Sequence, residues 1–325
     1  MRQTKRALLI AGAAALLSAL PVGLAAAQEY PTRTIQLIIP YPPGGSDALG
    51  RKIAAAMAPK LGQEIVILNV PGASTQTASR QVAAAAPDGH TLYMPSPHEL
   101  ASGPAKFKDL KFDAIKDFTP ISYVAHGPYA LLSSAKLPPR NYKDLVAYLK
   151  ANKDKVRFGS YGKLSQSDLI ARRFNKETGL DIQIIPYNGG APAFNALLAD
   201  EVQMVFGTLI PTQGFIRDGV MIPMAMTSDE RVPLLPQVPT MKEMGVDLVD
   251  LASFGLIGPK GLPKPIVDKL NKALVESLKE PELKKFVESL GVIVVAGSPE
   301  DYTRRVTEET NFWVTNLPKF GIQPQ

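Results

Sequence analysis

The chain has 325 residues and no cysteine, a single tryptophan and only three histidines. Without cysteine there are no disulfides, no thiolate metal ligands, no cysteine nucleophile and no lipid anchor at a processing site. The histidines, His90, His98 and His126, do not have the spacing of a zinc site. The chain also lacks a Gly-x-Ser-x-Gly elbow and a lysine-bearing phosphate loop, the usual sequence marks of a hydrolase or a nucleotide enzyme. An enzyme assembled from residues that meet only in space stays open. No cofactor and no metal are expected. Repeats, low-complexity tracts and long linkers are absent as well, so the chain reads as compact throughout.

A concentrated basic patch is missing too. The net charge is +6, but three of the positive charges, Arg2, Lys5 and Arg6, lie at the extreme N-terminus, and removing them leaves +3. Lys106, Lys108 and Lys111, like Lys284 and Lys285, are scattered among acids as on solvated faces. Nucleic acid is therefore not an expected partner.

The N-terminus combines those three cations with the apolar run Ala7 to Leu20 and the small residues Ala25-Ala26-Ala27. This is the pattern of a signal peptide over 1–27, cleaved near Ala27, which directs the chain to the periplasm. No later segment reaches the roughly 18 uninterrupted apolar residues of a membrane helix.

The remaining length suits two α/β domains. Strands are expected at Ile35 to Ile39, Glu64 to Leu68 and Thr91 to Met94, with helices after the first and over Ser74 to Ala86. A second series follows at Ala130 to Ser133, Val156 to Gly159, Ile182 to Ile185, Val202 to Phe206 and Ile222 to Met226. The series join near Tyr123 to Pro128, and the chain leaves the second near Leu251 to Gly255. This places 28–124 and 254–325 in one domain and 125–253 in the other, with two crossings that suggest a hinge. Near the C-terminus, Ile266, Leu270, Leu274 and Leu278 share a helix face that ends before Pro281. Val292 to Val295 supplies a strand, and Ser298-Pro299-Glu300-Asp301 starts a helix that packs back on the first domain.

The stretch Pro40-Tyr41-Pro42-Pro43-Gly44-Gly45-Ser46-Asp47 breaks the first strand and reopens as a helix whose apolar face is Leu49, Ile53 and Met57. Ser46 or Asp47 can cap that helix. Its first-turn amides and positive dipole end suit a carboxylate, phosphate or sulfate, although an ordinary strand-to-helix turn has the same local sequence.

Motifs spread along the chain carry a resemblance. They include Tyr30-Pro31-Thr32-Arg33-Thr34-Ile35, the loop Pro40 to Ser46, Ala86-Pro87-Asp88-Gly89-His90-Thr91-Leu92 and Lys116-Asp117-Phe118-Thr119-Pro120-Ile121. Phe158-Gly159-Ser160, Pro186-Tyr187-Asn188-Gly189-Gly190-Ala191-Pro192-Ala193 and Leu235-Pro236-Gln237-Val238-Pro239-Thr240 continue the series. In order and spacing the chain resembles the TctC or Bug family, the periplasmic solute receptors of tripartite tricarboxylate transporters, from Tyr30 to about Ile322. The resemblance implies a type II-like periplasmic binding protein, with two α/β lobes closing on a small carboxylate.

It also implies a second anion loop on the facing lobe, at Ser160-Tyr161-Gly162-Lys163-Leu164-Ser165-Gln166-Ser167, where the family has a Ser-x-Gly-x-Gly-Thr run. Ser165 either contacts the anion or only caps the following helix. Lys163 either reaches a distal carboxylate or is solvated. The family's second glycine is Leu164 here, and its histidine is Asp168. Tyr187 and Asn188 belong to the matched motif and join the candidate site. Gly207 and Thr208 replace the family's usual aspartate after Val205-Phe206, and Ser74 and Thr75 stand where its Pro-Gly-Ala-Gly-Gly run has glycines. Ser96 and His98 follow the third strand end, where α/β sites gather, and His98 and His126 are each either ligand-facing or structural. Tyr41, Pro42, Gly44, Gly45, Ser46 and Asp47 complete the candidates, and Tyr41, Tyr161 and Phe206 either form an aromatic slot or belong to the core.

The expected function is a monomeric, non-enzymatic receptor that captures an aliphatic or aromatic mono- or dicarboxylate. It would deliver this ligand to the subunits of a cytoplasmic-membrane transporter. The alternatives are a ligand-presenting sensor and, less favoured, a two-lobe enzyme acting on a carboxylate.

Overall fold

The computed structural model describes residues 29–320 and 322–324, and the expected signal peptide lies outside the described residues. Strand β1 (Ile35–Ile39) is buried at Ile35, Leu37, Ile38 and Ile39 because parallel neighbours β2 (Ile65–Asn69) and β3 (Thr91–Tyr93) flank it and helices cover both faces. Helix α1 (Gly45–Leu61) lays Leu49, Ile53, Met57 and Leu61 on the same core as β1 and β3. Gly62 ends it in a left-handed turn, φ 75°, donating its N–H to the Ala58 carbonyl. The expected helix from Ser74 begins instead as a tight turn at Ala73–Thr75 and continues as α2 (Gln76–Ala83).

The largest departure from the sequence reading is β4, a single strand over Phe118–Ser134 where a short strand and a join were expected. Gly127-Pro128 looks like a turn, but neighbouring strands hold it extended. β9 (Leu251–Pro259) runs antiparallel to β4 from Phe118 to Pro128, with register shifts beside Pro120 and Tyr123 that absorb the irregularity. After Pro128, β4 changes partners. Tyr129 to Ser133 pair with β7 (Met204–Thr208), and Ala130 to Ser134 pair with β8 (Met221–Met226). The ten-stranded sheet therefore runs β2-β1-β3-β9-β4-β7-β5-β6, where β5 is Arg157–Ser160 and β6 is Gln183–Pro186. β8 and β10 (Ile293–Val294) pair with β4 off this path. Separate cores sit on either side of the change of partners, one around Leu37, Met57 and Leu274, the other around Phe158, Phe174 and Phe206. The result is the two-lobe α/β fold.

Helices α3 (Pro97–Lys106), α4 (Tyr142–Asn152), α5 (Gln166–Thr178), α6 (Gly190–Ala199) and α7 (Gln213–Arg217) follow β3, β4, β5, β6 and β7 in turn. α8 (Lys264–Leu278) buries Leu270, Leu274 and Leu278. Pro281, expected only as a stop, also opens α9 (Pro281–Ser289) as an N-terminal proline. The last helix, α10 (Pro299–Asn316), starts with a reciprocal capping box between Ser298 and Asp301 and buries Tyr302 and Val306 against Ile38, Tyr93 and Ile257 of the first lobe.

His126 lies on β4 just before the change of partners, half-buried, its Nδ1 3.2 Å from the Tyr123 hydroxyl. Burial, helped by the positive Arg305, holds its pKa below the ordinary 6.5. The unfolded chain therefore binds the proton first, and this residue's contribution falls as pH drops through about 6.5 toward the folded value. Chemical denaturation at pH 7.5 and 5.5 should show a stability loss on acidification that is smaller in His126→Gln. Equal losses in the two proteins would exclude the ring as its source.

Candidate functional site

The C-terminal ends of the parallel strands point their loops into one cleft of about 620 Å³ between the lobes. From the first lobe come Pro40 to Pro42, Gly45 and Ser46 after β1, Pro71 to Thr75 after β2, and Ser96 and Glu99 after β3. From the second come Tyr161, Ser165 and Gln166 after β5, Asn188 to Gly190 after β6, and Thr208 to Pro211 after β7. Tyr129 and Ser253, from the long strands β4 and β9, form part of the wall between them. A helix follows each of these loops. The N-caps of α1, α2, α3, α5 and α6 are Gly44, Thr75, Ser96, Ser165 and Gly189, so the N-terminal ends of five helices gather around the cavity. Among the described residues no lysine, arginine or histidine lines it, and Glu99 is the one acidic residue in its wall. Positive potential here comes from backbone ends rather than from cations.

Of the expected residues, the structure brings Tyr41, Pro42, Gly45, Ser46, Ser74, Thr75, Ser96, Tyr161, Ser165, Asn188 and Thr208 to the cleft wall. The others are placed elsewhere. Gly44 is the N-cap of α1 with no side-chain bond, which corrects the expected cap at Ser46 or Asp47. Asp47 instead accepts from Arg51 Nε at 2.9 Å, a bond that lowers its pKa. His98 points away from the cleft, 2 % exposed, edge-on to Trp313 and with Nδ1 3.4 Å from Glu309. Ser160 is buried at the end of β5, and Tyr187 lies beyond the wall. Gly207 sits inside β7, where a Cβ would meet the Phe194 ring at 2.8 Å. Phe206 is core, stacked on Phe158. Gly162 and Lys163 form a turn outside the cavity lining, with Lys163 exposed as in the solvated alternative. Lys106, assigned by sequence to a solvated face, is wholly buried.

Two features of the wall point to a guest. Ser96 Oγ and Ser253 Oγ are buried and make no hydrogen bond of ordinary geometry, each having only a phenol beside it, Tyr41 and Tyr123, unlike Ser165, whose hydroxyl accepts from the Asp168 amide. Beside them Ala73, Ser74 and Thr75 hold φ of 46°, 50° and 70°, a left-handed run that L-residues adopt at a cost of about 1–3 kcal/mol each. Where the resemblance expects glycines, this chain keeps the glycine-type backbone and adds two hydroxyls.

Sequence reasoning missed Ser253, Tyr129 and Gln166, because they lie in a regular strand or behind a cap and carry no loop signature. Burial raises the phenols of Tyr41, Tyr129 and Tyr161, so all three are neutral. Tyr129 donates to Gln166 Oε1 at 3.0 Å, and Gln166 Nε2 donates to Asp250 and to the Leu251 carbonyl. Gln166 thus ties α5 to the two strands that cross between the lobes, with its amide protons already used.

Among the described residues no helix is long and apolar enough to cross a membrane, and no group of three or more acidic or histidine side chains is placed to hold a metal. Residues 49–321 match the family model described as the tripartite tricarboxylate transporter family receptor. A curated relative, Protein BugT of Bordetella pertussis, is 32% identical over 300 residues, covering 91% of this chain and 92% of that protein. The solved structure of the periplasmic binding protein BugD is similar at TM-score 0.83 and 32% identity, covering 91% of this chain and 100% of the other. MatC from Rhodopseudomonas palustris with bound malate is similar at TM-score 0.80 and 31% identity, covering 88% of this chain and 99% of that one.

Proposed function

Because the chain belongs to the tripartite tricarboxylate transporter receptor family, we propose that it is a periplasmic receptor that captures a small organic carboxylate between its lobes and delivers it to a membrane transporter. The observation that carries this reading is the convergence of helix N-termini from both lobes on a cleft with no cationic side chain. A carboxylate seated there accepts from amides and hydroxyls of both lobes at once. The closed form then gains contacts that the open form lacks, and its population rises with ligand. Malate in MatC is an acid of the same class. In this reading 28–124 with 254–325 move as one body and 125–253 as the other, and the change of partners along β4 after Pro128 supports the division. The receptor works as a monomer without cofactor.

The test is a thermal-shift and calorimetry screen of C4 to C6 di- and tricarboxylates and benzoates. At 100 times its Kd a ligand stabilises by roughly 2.7 kcal/mol, which is easily read. No response to any acid would overturn the reading. With the tightest acid, Ser96→Ala and Ser253→Ala should each weaken binding roughly 2- to 10-fold, the value of one hydrogen bond of about 0.5–1.5 kcal/mol. The ligand-free melting point should hardly change, because each hydroxyl gives up at most a weak contact with one phenol, Tyr41 for Ser96 and Tyr123 for Ser253. A lower ligand-free melting point with unchanged affinity would make these serines structural.

A further inference from the structure

Glu99 stands in the first turn of α3, its amide donating to the Ser96 carbonyl at 3.1 Å, and among the described residues it is the one acidic residue in the cleft wall. It is not a stray surface acid. Two turns along the same helix Lys106 is wholly buried, and its Nζ lies 3.1 Å from Glu99 Oε2. A lysine is almost never taken fully out of water unless paired, so this contact fixes the carboxylate in place. The cation is sequestered behind the acid, while Glu99 keeps partial exposure toward the cavity, with 15% of its side chain accessible. The lysine is bonded to Oε2 alone, which leaves Oε1 with its acceptor capacity unspent on that pair.

The two phenols beside it differ in what they can offer that carboxylate. Tyr129 spends its proton on Gln166, while the Tyr41 hydroxyl accepts from the Ser96 amide at 3.3 Å and keeps its own proton to donate. Both phenols feel the charge of Glu99, which adds to the effect of burial on them. A guest thus meets donors from the helix ends on most sides and a fixed acceptor on one. A second carboxylate placed against Glu99 would be repelled, whereas an N–H group there gains a charge-assisted bond.

We propose that the cleft selects a carboxylate that also carries a nitrogen donor, ammonium or carboxamide, and that Glu99, held by Lys106, is the specificity-determining residue that reads it. The inference rests on the carboxylate reading above and narrows it.

The test is calorimetry on the whole mature chain with matched acids: aspartate, succinamate and succinate; glutamate and glutarate; 4-carbamoylbenzoate and benzoate. At least one nitrogen-bearing acid should bind tenfold or more tightly than its nitrogen-free counterpart. Aspartate alone gaining over succinate identifies an ammonium, and succinamate alone a carboxamide. Glu99→Gln strands the buried lysine and can fail to fold, so the decisive variant is the double change Glu99→Gln with Lys106→Met, which removes both charges. In it the preference should fall below threefold while the nitrogen-free acid binds as well as before or better. Nitrogen-free acids that bind the native chain equally or more tightly overturn the proposal, as does a preference that survives the double change. Failure of every acid to bind overturns the carboxylate reading itself.

Discussion

Replacing Gly45 with alanine should weaken ligand binding by about one to two orders of magnitude, and adding Ile210→Ala should restore most of it. Gly45 is the first residue of α1, directly after the loop that follows β1 in the first lobe, and a Cβ built on it would lie 2.3 Å from Cγ2 of Ile210, in the loop after β7 in the second. Ile210 also packs against the apolar core of the first lobe, so the contact acts as a catch between the lobes at the mouth of the cleft. The backbone at Gly45 is outside the left-handed region, so the substitution tests space and not conformation. Overpacking of this kind costs typically about 1–3 kcal/mol, or roughly 5- to 150-fold in affinity when the contact belongs to the closed form. Calorimetry with the tightest acid measures the loss, and small-angle scattering with ligand should show a less compact particle in the single variant than in the double. Unchanged affinity in Gly45→Ala would mean that the two loops part in the liganded state.

The second large effect is expected at Asp250. Its carboxylate accepts from Arg173 Nη1 at 3.2 Å and from Gln166 Nε2, with Arg173 and Asp250 both nearly buried, at 9 % and 7 % exposure. Asp250→Ala leaves a buried guanidinium without its counter-charge, a change that costs about 3–5 kcal/mol. It also frees Gln166, which ties α5 to Tyr129 and Leu251 on the crossing strands. In a protein of this size the melting temperature should fall on the order of 10 °C. The double change Arg173→Met with Asp250→Leu should recover most of the loss, because the desolvation cost of the pair goes with it. A loss under about 1 kcal/mol in Asp250→Ala would show that water reaches the arginine and the pair is not buried in solution.

The elements legible in the sequence are those written in near neighbours. The apolar run at Ile35 to Ile39, the fourth-residue repeat of Leu49, Ile53 and Met57, and the Ser298-Pro299-Glu300-Asp301 start each stand in the structure within a residue or two of their expected place. Loops that follow strand ends were legible for the same reason, which is why Ser46, Ser96, Ser165 and Thr208 were found in advance and do line the cleft. Lys163 was singled out on its loop too, yet the turn at Gly162 leaves it exposed, since a loop's sequence does not say which of its side chains turns inward.

What only the tertiary structure decided rests on residues far apart in the chain. Gly127-Pro128 has the local chemistry of a turn, and it is extended because β9, more than a hundred positions later, supplies the other half of the ladder. Ser253 sits in a regular strand and becomes part of the site because that strand passes behind the cleft. Lys106 carries the sequence marks of a solvated residue, and it is buried because the fold covers α3 with α10 and Glu99 offers it a partner two turns back. By itself the sequence determined the short strands and capped helices that near neighbours specify and which family the chain resembles, but not the long strands β4 and β9, because periodicity, caps and turn residues act over a few positions. The facing of side chains, the burial of a charge and the meeting of Gly45 with Ile210 depend on packing, which no local pattern specifies.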